Sequence, residues 1–88
     1  MKYVYPAVFT PEDPGISVRF PDIKNCFTSG ADPKDAMEMA ADALCMMLSY
    51  LEETGGPIPA ASSQEAIRAE LGPGEYVSLV ACDTAEQR

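Results

Sequence analysis

The feature that most constrains this chain is one long helical stretch bracketed by strong local signals. Asp32 is a good N-cap, Pro33 suits the first helical position, and Asp35 complements the positive end of the helix dipole. The pattern runs to about Glu53 and stops at Gly55-Gly56-Pro57. At about 100° per residue, Lys34, Asp35, Glu38, Asp42, Ser49, Glu52 and Glu53 share one polar arc. Ala36, Met39, Ala40, Ala43, Leu44, Met47, Tyr50 and Leu51 take the opposite face. Met37, Met46 and Leu48 lie on its shoulders, so the apolar arc is wider than one small sheet needs. Two readings stay open: a core face with loosely fitting Met shoulders, or a second apolar contact between subunits through Met37, Met46 and Leu48. Cys45 falls on the polar side and is expected to be an exposed thiol.

In a chain of 88 residues, too short for a second core, the rest must pack on that helix. Lys2 to Phe9 alternates large apolar residues and ends in the turn-rich Thr10 to Gly15, with Gly15 available for positive φ. Pro6 lacks an amide, so a bulge or an unmade bond is expected there. Ile16 to Phe20 alternates again, and Cys26 to Ser29 is a third short strand, giving an antiparallel meander. Ser63 to Leu71 suits about two helical turns with Ser63 as cap. Tyr76 to Cys82 is nearly continuously apolar and reads as a strand interior to the sheet. A helical crossover predicts that it lies parallel to a strand of the meander, beside the first. The expected fold is α+β: a two-layer β-β-β-α-β unit with a mixed four-stranded sheet in order 3-2-1-4 and one long helix packed on one face. Residues 1–83 form the domain and 84–88 a tail.

Composition narrows the chemistry. Six basic against 14 acidic side chains leave a net charge of −8, which disfavours DNA, RNA and anionic membranes and suits either solubility or a basic partner. No segment approaches a membrane span, and none at the start reads as a targeting signal. Histidine is absent, which removes imidazole bases and His-ligated metals. Cys26, Cys45 and Cys82 lack metal-ligand spacing, and the odd count suggests three free thiols in a reducing cytoplasm, with Cys26 and Cys82 in the core.

A meander, helix and parallel strand resemble the opening of the ribonuclease H fold, whose two-metal chemistry needs carboxylates on central strands. Lys2 to Phe9 has none, and Tyr76 to Cys82 has none before Asp83. Glu38 and Asp42 sit on the solvent arc of the helix. Asp22 is the one acid in a notable setting, and a turn residue bonding nearby amides is the simpler account of it. No catalytic, metal or cofactor site is expected.

Tyr5-Pro6-Ala7-Val8-Phe9, Ser17 to Ile23, Cys26-Phe27-Thr28-Ser29-Gly30 and Asp35-Ala36, taken in order, resemble the HicB-type antitoxin domain. Pro57-Ile58-Pro59 and Gly74 to Val80 continue the pattern. The resemblance implies a degenerate ribonuclease H-like fold, a homo-oligomer (dimer or tetramer) and a partner, the small basic HicA-type toxin that cuts messenger RNA. Where the family usually has Gly before the Cys, this chain has Asn25, which tolerates positive φ. Many members continue into a DNA-binding segment, whereas this sequence stops at Arg88, so direct nucleic-acid binding is not expected of it. Glu12, Asp13 and Asp22, or the helix acids, are the candidate toxin contacts. The alternative is an orphan oligomeric structural or regulatory module without a toxin.

Overall fold

Alternation in the first thirty residues produces three strands: β1 (Lys2–Pro11), β2 (Ile16–Arg19) and β3 (Phe27–Gly30), an antiparallel meander. The helix α1 (Pro33–Thr54), the short α2 (Gln64–Arg68), β4 (Tyr76–Asp83) and a 3-10 turn (Thr84–Gln87) follow. The computed structural model describes residues 1–87. The sheet order is β3-β2-β1-β4, as the sequence predicts. Gly15 turns the first hairpin at φ 89°, where a Cβ would meet the Gly30 carbonyl oxygen at 2.9 Å. Asn25 takes φ 62°, the left-handed conformation its side chain tolerates.

The direction of β4 differs from expectation. It runs antiparallel to β1, from Phe9↔Tyr76 to Lys2↔Asp83, so the sheet is wholly antiparallel instead of mixed. The sequence predicts a single pass along the sheet between β3 and β4, and the chain makes two. α1 starts against Gly30 and ends near Tyr3, whose hydroxyl donates to Glu52 at 2.5 Å. Residues 55–75 then travel back before β4 begins opposite Phe9. Asp22 anchors that return, accepting from the Ser62 amide at 2.8 Å and the Ser62 hydroxyl at 2.5 Å. The order β3-β2-β1-β4 makes β4 an outer strand, so its apolar run does not mark an interior one.

The ladder's parity explains Pro6. The Phe20 amide bonds the Cys26 carbonyl and the Thr84 amide bonds the Met1 carbonyl. Alternation from these two points directs even-numbered β1 residues towards β2 and odd-numbered ones towards β4. Pro6 therefore turns its missing donor to the β2 side, beyond the last β1–β2 pair at Val8↔Arg19. No bulge is needed.

Tyr5, Ala7 and Phe9 share the sheet face that packs against Ala36, Ala40, Leu44 and Leu48 of α1. Asp32 caps the helix by accepting from the Asp35 amide at 2.8 Å, and Gly55 closes it at φ 72°. The facing of α1 is rotated from the one the hydrophobic arc predicts. Cys45 and Leu48 are buried, whereas Met39 and Tyr50 are exposed. Small residues decide this, because a Cβ on Gly30 would lie 2.4 Å from the Ala36 backbone, and only Gly30 permits so close an approach. Cys45 is thus no exposed thiol: it is disulfide-bonded to Cys82 across 37 residues, tying α1 to β4 and leaving Cys26 as the free, buried cysteine. The odd cysteine count of the sequence predicts three free thiols instead. The rotation brought two of them together.

On the other face Pro6 and Val8 are also buried. α2 contacts β4 and β1 there, with Ile67 buried beneath it. Thr84, assigned by pattern to a tail, is buried and donates to Glu52 at 3.1 Å.

Candidate functional site

The rotation that buries Leu48 pushes large side chains to the flank of α1 and opens a groove of about 500 Å³ against β3. Met39, Ala43, Met46, Met47 and Tyr50 form one wall, and Asn25, Cys26, Phe27 and Thr28 the other. Phe27 and Met46 are each 70% exposed and Tyr50 60%. Such a cluster of large apolar groups left in water marks a contact surface. Asp42 supplies the charge at its rim, and no cation is found among the described residues that line it. Burial pushes the Cys26 thiol up, so it stays protonated and lines the groove as a small apolar group.

The candidate contact residues divide. Met46 stands in the groove. Met37 is half-buried and packs against the core. Leu48 is fully buried, so it cannot touch a partner: the helix phase that put it on a shoulder is the phase the structure corrects. Glu12 and Asp13 are exposed on the β1–β2 hairpin, where Glu12 accepts from the Ser17 hydroxyl at 2.5 Å. Asp22 lies beyond the opposite end of β2, occupied by Ser62. The three acids are not brought together. Phe27, Met39 and Tyr50 were assigned no contact role by sequence. Alternation about the buried Cys26 turns Phe27 outwards, which is the sequence signal for its exposure.

A second polar cluster lies on the other face. Glu75 accepts from Arg19 at 2.8 Å, from the Thr10 hydroxyl at 2.6 Å and from the Gly72 amide at 2.8 Å. These bonds, that from Arg19 foremost, hold its carboxyl down at about 2. Among the described residues no three Cys, Asp or Glu side chains are grouped to hold a metal. No helix among them is long and apolar enough to cross a membrane.

Comparison with known proteins bears on what such a surface does. The sequence model of a family described as the HicB_like antitoxin of bacterial toxin–antitoxin systems matches residues 5–87. Antitoxin HicB 2 of Photorhabdus laumondii is 35% identical over 60 residues, 68% of this chain. The match spans 43% of that relative's length, less than half. Among solved structures, a toxin–antitoxin complex from Streptococcus pneumoniae aligns with TM-score 0.87 at 23% identity, covering 99% of this chain and 73% of the other. A HicA3 and HicB3 toxin–antitoxin complex aligns with TM-score 0.74 at 24% identity, covering 92% and 99%. At these identities the structural likeness speaks for the fold.

Proposed function

The chain belongs to the HicB_like antitoxin family, and from that premise we propose that it binds and neutralises a small basic HicA-type toxin by protein–protein contact. The observation that carries the reading is the groove between α1 and β3: apolar, open, rimmed by Asp42, in a chain of net charge −8. A toxin that grips RNA presents Lys and Arg. The acidic surface speeds its approach, and Phe27, Met46 and Tyr50 then supply the desolvated contact that sets the dissociation rate. Asp42 at the rim of the groove serves the steering better than Glu12 and Asp13 at the hairpin. Asp22 is committed to Ser62 and contributes to the fold. The reading needs no catalysis by this chain. It has the protein act as a homo-oligomer.

Co-expression with a HicA-type toxin tests it. The chain is expected to relieve growth arrest and to be retained by the immobilised toxin. Met46→Lys combined with Tyr50→Ala is expected to weaken that binding by about 30-fold or more, the loss of one hot spot. No retention at low salt refutes the reading and leaves the orphan oligomeric module.

A further inference from the structure

β4 reads as an interior strand yet stands at an edge. Tyr76–Cys82 contains no charge, proline or glycine, the devices with which edge strands block further pairing. The ladder turns the amides and carbonyls of Val77, Leu79 and Ala81 away from β1, and no main-chain partner meets them among the described residues. Beside them Leu79 is 48% and Val4 50% exposed. Glu75 and Asp83 border the segment, and a cation of the same subunit holds each one. Arg19 lies 2.8 Å from Glu75, and the Met1 amino group 3.6 Å from Asp83. A chain of net charge −8 repels its copies wherever free carboxylates meet, and along this edge the carboxylates are already neutralised. A basic partner is steered to the acidic surface instead.

We propose that β4 is the docking edge for a second copy of this chain, antiparallel about a two-fold axis through Leu79. Val77 then bonds Ala81 across the axis and Leu79 bonds its symmetry mate, about six main-chain hydrogen bonds in all. The exposed Leu79 and Val4 side chains are covered as the two four-stranded sheets join. The contact is self-complementary and closes at two copies. It extends the homo-oligomeric part of the proposed function and is measured without toxin, so failure of one does not mimic failure of the other.

Sedimentation of the untagged full chain is expected to give a dimer. Leu79→Pro removes an amide that bonds nothing inside the subunit, and Pro6 lies opposite it, so the subunit's own ladder stays whole. That variant is expected to weaken dimerisation at least about tenfold. Leu79→Lys, which changes only an exposed side chain, is expected to do the same with an unchanged circular dichroism spectrum. Phe27→Lys on the opposite edge is expected to leave the dimer intact. A monomeric wild type overturns the proposal. So does a dimer that survives both Leu79 variants, or one that dissociates with Phe27→Lys alone.

Discussion

The two edges of the sheet are open in different ways. The β3 edge is four residues long, and what it offers is side chains: Phe27 and the groove it shares with Met46 and Tyr50. The β4 edge is eight residues long, and what it offers is backbone, neutral along its length with its bordering acids tied down. A groove of side chains selects a partner by shape and charge, whereas a bare strand selects another strand. One small sheet can thus present two surfaces that do not compete. α1 serves both, seated on β3 through Gly30 and bonded to β4 through Cys45.

The largest perturbation of this arrangement is to cut the tie to β4. Replacing Cys45 and Cys82 by alanine is expected to lower unfolding free energy by about 2–4 kcal/mol, since the bond closes a long loop in the unfolded chain. Urea denaturation with and without reductant checks this: the reduced wild type should fall to the variant's level. Thiol titration of the unreduced, denatured protein should count Cys26 alone, and a count of three removes the tie. Gly30→Ala strikes the other seat. Its Cβ meets the Ala36 backbone at 2.4 Å, so α1 must lift from β3 at a cost of about 1–3 kcal/mol. Toxin binding should weaken with it while dimerisation stays unchanged, which separates the edges most sharply.

The smallest effect concerns acid. The Glu75 carboxyl is held at about 2 when folded against an ordinary 4.5. Its contribution to stability is complete above 4.5 and is lost as pH falls from there towards 2. Glu75→Gln should remove that part of the acid limb in denaturation curves recorded from neutral pH downwards. Because Arg19 is half exposed, the difference is expected to be small.

How much of this was legible depends on whether the deciding interaction is local. The ends of α1 were readable from Asp32, Pro33 and Gly55, because capping involves backbone groups within one turn. The turns at Gly15 and Asn25 were readable because left-handed φ selects those residues. The facing of α1 was not. The most hydrophobic arc includes Met39 and Tyr50, but the face that docks is the one whose small residues come closest to Gly30. From that one rotation follow the buried Leu48, the Cys45–Cys82 bond and the groove.

The sequence by itself determined the strands, the helix, their order across the sheet and the acidic character of the chain. These rest on alternation, capping and charge, which act at short range or need no geometry. Tertiary structure decided the antiparallel course of β4, the pairing of two cysteines 37 residues apart and the site of the exposed apolar surface. Each depends on where the return segment 55–75 runs and how closely α1 approaches β3. Those are contacts between distant residues, and no local pattern encodes them.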